Sequence, residues 1–202
     1  MSREKWITAA EHQAQLEKDP EWVARNAERE ARLKEAQEEA RREQAVLLGE
    51  LRNAGFHVKS VWDFVNTADQ YPGAVPVLLR HVPVPYSKRT KEGIIRALTV
   101  NYAGPDVLRE LIRQFREETD DRGNSLKWVL GNAISEVATP ADAETIIALA
   151  IDPAHGRARD LIIGECLPRV VKDKARLREV LKHLMQDEQM EPHARRASRR
   201  RL

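Results

Sequence analysis

Apolar positions are sparse and irregular over the first fifty residues and become regularly spaced only beyond them. Residues 21–54, EWVARNAEREARLKEAQEEARREQAVLLGELRNA, hold no Gly or Pro before Gly49 and are rich in Ala, Glu, Arg, Lys, Gln and Leu, the strongest helix formers. The pattern predicts one long helix. Glu21–Arg25, Glu28–Arg32, Glu30–Lys34 and Glu38–Arg42 stand at i,i+4, each pair adding about 0.3 kcal/mol. Pro20 suits a first helical turn, and Gly55 suits a left-handed C-cap. The apolar stripe is thin. Leu33, Ala36, Ala40 and Leu47 follow a heptad-like spacing that Glu43 and Glu50 interrupt, whereas a coiled coil sustains it over several heptads. A solvated helix that docks through Val46, Leu47, Leu48 and Leu51 is expected rather than a dimer seam.

From residue 56 onward, short segments of helical periodicity alternate with turn signals, and strand patterns are absent. Helices are predicted at 60–69, 74–82, 88–103, 106–118, 125–138, 142–151, 157–170, 174–187 and 192–201. Ser60-x-x-Asp63 opens the first as a capping box would, with Val61, Trp62 and Val65 as its apolar face. Tyr71-Pro72-Gly73, Pro83, Pro85 and Asp120–Gly123 mark turns. Thr139-Pro140-Ala141-Asp142 reads as N-cap, N1 proline and an acid at N3. Pro168, late in its segment, is expected to kink or end the helix.

The segments recur. Leu98, Ile134 and Leu167 lie 36 and 33 residues apart, and Leu79, Ile112, Ile147 and Leu181 lie 33, 35 and 34 apart. Two interleaved series with one period are what a stacked helix–turn–helix unit produces. Leu126, Val129, Leu130, Ala133, Ile134 and Val137 cover more than half of one helix circumference, so that helix must touch both its partner and the neighbouring unit. Ala97, Gly131, Ala133 and Gly164 leave room for close helix approach.

The turn Ile151-Asp152-Pro153-Ala154-His155-Gly156-Arg157-Ala158-Arg159 resembles the inter-helix turn of HEAT-like repeats: an Asp, often a Pro, then an Arg opening the second helix. Asp187 to Ala194 followed by Arg195 is similar to a looser copy, whereas Pro83–Tyr86 and Asp120–Asn124 match only in position. The resemblance covers residues 70–202, or 56–202 with a degenerate first unit. It implies an all-α protein, a right-handed α-α superhelix of about four helix pairs preceded by the long charged helix. It also implies that Asp152 accepts backbone N–H bonds while Arg157 or Arg159 reaches an acid of the next unit. The organisation expected is a polar segment at 1–20, the charged helix at 21–55, and a repeat domain at 56–202 with an Arg-rich tail.

Composition narrows the chemistry. The 202 residues are 42% hydrophobic and 33% charged, enough to build a core. A single cysteine, Cys166, excludes a disulfide framework and any multi-cysteine metal site. No signal-like or membrane-length apolar run occurs, so a cytoplasmic protein without membrane, metal or cofactor is expected. None of the six His residues forms HExxH, and no GxSxG, Walker A or GxGxxG is present. Cys166 falls on the apolar face of its segment, and Asp63 reads as a helix cap. No catalytic residue is nominated, and an enzyme is less expected than a binding module.

The net charge of +2 is unevenly placed. Residues 1–50 carry 9 basic and 12 acidic side chains, residues 51–192 carry 20 of each, and residues 193–202 carry five Arg and no acid. In the family the second helices line the concave surface. Helical spacing then directs Arg89, Arg96, Lys127, Trp128, Asn132, Arg159 and Glu165 to that groove, where an indole among cations anchors a protein or stacks on a base. The tail residues Arg195, Arg196, Arg199, Arg200 and Arg201 either neutralise phosphates or form a polar cap. The leading expectation is a non-catalytic module that binds another protein through the groove, the long helix or both. The alternative is a nucleic-acid-binding protein, similar in fold to the HEAT-like alkylpurine glycosylases, with Glu165 or Asp160 as the acid near Trp128. The charge balance of residues 51–192 weighs against it.

Overall fold

The computed structural model describes residues 8–119, 125–187 and 192–200, and these are all-α: among the described residues no strand occurs. They divide into two compact units, with the boundary between Ala45 and Val46.

The first unit holds α1 (Ala9–Leu16) and α2 (Pro20–Glu43). The short α1 was not visible in the apolar pattern. It is started by a capping box, in which Thr8 Oγ1 accepts from Glu11 N–H and Glu11 Oε2 accepts from Thr8 N–H at 2.8 Å. Asp19 caps α2, with Pro20 at its first position. No residue of α2 is buried, so propensity and local pairs hold it. Glu21–Arg25 and Glu28–Arg32 pair as the spacing predicts, whereas Glu30 accepts from Asn26 instead of pairing with Lys34. The single helix expected at 21–54 is two. The backbone leaves helical geometry at Gln44 (ψ 1°), where the chain passes from a helix with no buried residue to one with a buried face.

The second unit opens with α3 (Ala45–Asn53), whose Leu47, Leu48 and Leu51 are buried; Val46 is 67% exposed and takes no part. Gly55, at φ +93°, ends α3: Phe56 N–H returns to Leu51 C=O and Gly55 N–H to Arg52 C=O. Then follow α4 (Trp62–Val65), α5 (Val75–His81), α6 (Lys88–Ala97), α7 (Pro105–Glu117), α8 (Leu126–Val137) and α9 (Ala143–Ile151). The segment expected as one helix at 157–170 is instead a 3-10 stretch (Pro153–Arg159), a π-helical stretch (Ile162–Cys166) and α10 (Leu167–Val170). Pro168 has no N–H to donate, and the wide π turn precedes it. The chain continues with α11 (Lys174–Leu184) and α12 (Pro192–Arg199).

Packing alternates along the chain. Consecutive helices α5 and α6, α7 and α8, and α9 and α10 lie against each other. A second series joins helices that are not consecutive: α4 packs on α6, α6 on α8, α8 on the π-helical stretch, and that stretch on α12. α11 packs on α9. The core runs from α3 to α11, and Leu98, Ile134 and Leu167 are each fully buried. Gly131 sits where α8 crosses the 3-10 stretch; a Cβ there would overlap the Ala158 carbonyl oxygen. Among the described residues no helix is long and apolar enough to cross a membrane.

Candidate functional site

Helix C-termini leave carbonyls without intrahelical partners. From α7 onward, cationic side chains supply the missing donors. Lys127 Nζ donates to Glu118 C=O at 2.6 Å, just past the end of α7. Arg159 donates from Nη1 to Ala150 C=O near the end of α9 and from Nε to Gly156 C=O, both at 3.0 Å, while its Nη2 pairs with Asp187. Arg169 donates to Ser135 C=O and Ala138 C=O at the end of α8. Arg195 donates to Met185 C=O at 2.9 Å and Asp187 C=O at 2.6 Å, beyond α11. Each cation also opposes the negative end of a helix dipole.

These positions correct the groove expected from the sequence. Lys127 is 4% exposed and Arg159 is fully buried, so neither faces an open surface. They meet instead in one buried cluster. Lys127 Nζ lies 5.3 Å from the centroid of the Phe115 ring, the same ring that packs on His155 at 4.8 Å. Burial, then the nearby Lys127 charge, hold the His155 imidazole below its ordinary pKa; its Nδ1 has no hydrogen-bond partner. The remaining groove candidates stay apart from this cluster. Arg89 is exposed on α6, and Arg96, half-buried, pairs with Glu92 at 2.8 Å. Trp128 and Asn132 share one face of α8, and Trp128 packs partly into the core. Glu165 is exposed on the π-helical stretch. Of the tail, Arg195 is engaged as described, Arg196, Arg199 and Arg200 are exposed, and Arg201 lies outside the described residues.

Asp152 accepts from Ala154 N–H at 2.9 Å, and Asp63 accepts from Lys59 and Ser60 N–H as a cap. Burial pushes the Cys166 thiol up to about 11 and the Tyr71 phenol up to about 12, so both are neutral donors. Tyr86 Oη, His81 Nδ1 (2.7 Å), His81 Nε2 and Glu50 (3.4 Å) form a chain that resembles a relay, but His81 is 5% exposed and the chain joins α3 to α5. No group of three or more His, Cys, Asp and Glu among the described residues could hold a metal ion.

A cleft of about 940 Å³ opens on the other helices of the pairs, along α7 between α5 and α9. Leu79, Leu108 and Ile112 form its apolar floor. Its rim carries charges already paired along α7: Arg109 with Asp106 at 2.8 Å, and Arg113 with Glu110 and Glu117 at 2.6 Å. The sequence does hold the signal for this cleft, in the i,i+3 and i,i+4 acid–base pairs of residues 106–117 beside an apolar stripe. Family models, curated proteins and solved structures contain no match to this chain.

Proposed function

We propose that the unit from Val46 onward is a short HEAT-like array of helix pairs that binds another protein without catalysing a reaction, and that the α7 cleft receives the partner. The cleft carries the reading: an apolar floor inside a rim of charges is the anatomy of a protein interface, and the rim charges lie in pairs along α7. The repeat reading is supported by the non-consecutive series α4, α6, α8, π-helical stretch and α12, and by cations that recur at 127, 159 and 195 behind successive helix ends. Arg159 reaching Asp187 matches the role expected of the repeat arginine. Burial keeps the Cys166 thiol neutral and away from solvent. Engagement of Lys127 and Arg159 with carbonyls argues against a phosphate-binding groove on the α6 and α8 side.

Site-specific photo-crosslinking in the source cell tests this. A photoreactive residue in place of Arg109 or Thr145, on the cleft rim, is expected to give one discrete protein adduct. The same residue in place of Arg89 or Glu165 is expected to give none. Adducts from Arg89 or Glu165 alone, or none from any position, would overturn the assignment.

A further inference from the structure

We propose that the exposed sides of α11 and α12 form a second binding surface, for the phosphate backbone of nucleic acid. This goes beyond the cleft and does not depend on it. From Arg169 to the last residue, the sequence carries eleven Lys and Arg against five Asp and Glu, in a chain whose net charge is only +2. The structure sorts these cations by task. Arg169 and Arg195 face carbonyls, and Arg176 is paired with Glu144 and Glu179. Lys172 is exposed just before α11, and on that helix Lys174, Arg178 and Lys182 remain. These three stand at i, i+4 and i+8, exposed along one side of α11, with about 6 Å of helix rise between neighbours. Arg196, Arg199 and Arg200 are exposed on and just after α12. None of these six makes an ion pair among the described residues. The hydrogen bonds from Arg195 to Met185 C=O and Asp187 C=O tie α12 to the chain just past α11, so the two sets sit on neighbouring elements.

The chemistry of that surface selects its partner. A protein interface needs an apolar centre, and among the described residues the large exposed apolar side chains, Val23, Leu33, Val46 and Ile151, lie outside 169–200. A phosphate backbone needs only cations without counterions, spaced along a line. Residues 169–202 hold no Trp, Tyr or Phe on which a base could stack, so contacts to the phosphate backbone dominate and little dependence on base sequence is expected.

Fluorescence anisotropy with labelled random-sequence duplex DNA and single-stranded RNA, titrated with the full chain, tests the surface. With six phosphates neutralised, affinity for duplex is expected to fall about 10³-fold between 50 and 200 mM salt. The triple variant Lys174→Gln, Arg178→Gln, Lys182→Gln should weaken duplex binding on the order of 10²-fold at 0.1 M salt and lower the salt slope by about 2.7. The variant Arg52→Gln, Lys59→Gln, which removes exposed cations elsewhere in the same unit, should leave both unchanged. Far-ultraviolet circular dichroism confirms that each variant folds. Three results would overturn the proposal: no binding of either nucleic acid at 50 mM salt, duplex binding that the α11 triple variant leaves intact, or equally tight binding of poly-glutamate. The last would assign the surface to an acidic protein.

Discussion

Two parts of the second unit face the same problem and answer it differently. Around residues 56–102 the connections are held by rings. Phe56 meets Phe64, Phe64 meets Tyr71, and Tyr71 meets Tyr102, with centroids 5.8, 4.6 and 6.0 Å apart. The Tyr71 hydroxyl donates to Ala97 C=O at 3.0 Å, closing the end of α6. Around residues 118–187 the helix ends are closed by Lys127, Arg159, Arg169 and Arg195. A neutral hydroxyl and a guanidinium both satisfy a carbonyl. Only the guanidinium adds charge against the helix dipole and reaches several acceptors at once. The second arrangement has fewer rings and more polar contacts, and it tolerates loss of a member less well.

Arg159→Met should be the most damaging single change. It removes the hydrogen bonds that Arg159 gives to Ala150 C=O, Gly156 C=O and the partly buried Asp187 carboxylate, and breaking a buried pair from one side costs about 3–5 kcal/mol. Urea denaturation measures it. A loss under about 1 kcal/mol would mean that Asp187 simply turns to solvent, and that the two parts of the unit are held alike.

Next come two glycine substitutions. In Gly131→Ala the new methyl overlaps the Ala158 carbonyl oxygen, a backbone atom, and overpacking of about 1–3 kcal/mol is expected. In Gly93→Ala the new Cβ meets Val61 Cγ2 at 2.6 Å and Trp62 Nε1 at 3.0 Å, both side-chain atoms. The ring-held part can yield there, so its loss should be the smaller one. Thermal melts of the pair decide, and the reverse order would contradict the contrast.

The contrast also explains what could be read in advance. The helical segments from α5 to α9, the close approach at Gly131 and the burial of Leu47, Leu48, Leu51 and Cys166 all follow from apolar spacing, because burial has a period. Lys127 and Arg159 were assigned to an open groove because a long cation on a helix normally faces water. The competing demand, an unsatisfied carbonyl nine residues earlier in each case, has no periodicity and shows only when the helix end is located. The break at Gln44 was hidden because Gln44 and its neighbours are good helix formers, and the π-helical stretch because its apolar spacing does not distinguish a π turn from an α turn ahead of Pro168. The α7 cleft left a trace in the sequence, acid–base pairs beside an apolar stripe, but nothing in that pattern says that the stripe faces an open cleft.

Acidification should reach the cation-held part first. His155 lies among Lys127, Arg116, Arg159 and Asp152, and its pKa is held below the ordinary value, first by burial and then by Lys127. The unfolded chain therefore takes up a proton at higher pH than the folded one. The stability that the neutral imidazole contributes is complete above the unfolded value of about 6.5 and is lost as pH falls through the folded value. Melting temperature should drop from pH 7.5 toward pH 5, and His155→Leu should flatten that part of the profile. A Leu variant with an unchanged slope would move the acid sensitivity elsewhere.

Tyr71→Phe measures the ring-held side with one atom. The rings keep their contacts, and only the bond to Ala97 C=O is lost, for a cost of about 1 kcal/mol. The same denaturation experiment as for Arg159→Met gives the comparison directly. A Tyr71→Phe loss as large as that of Arg159→Met would show that the hydroxyl, not the rings, holds this part.

The first unit supplies the lower limit of the scale. Nothing on α2 is buried, and the Glu28–Arg32 pair, at 3.3 Å, is exposed on both sides. Arg32→Gln should change helix stability by about 0.3 kcal/mol at low salt and less at high salt, where such a pair is screened. Hydrogen exchange of the α2 amides in the full chain reads this locally, without melting the second unit. A protection loss in α2 approaching that expected around Arg159 would mean that packing holds α2. If α2 instead keeps nearly all of its modest protection, it is a helix sustained by its own residues, while the helices beyond it are fixed by what lies across from their ends.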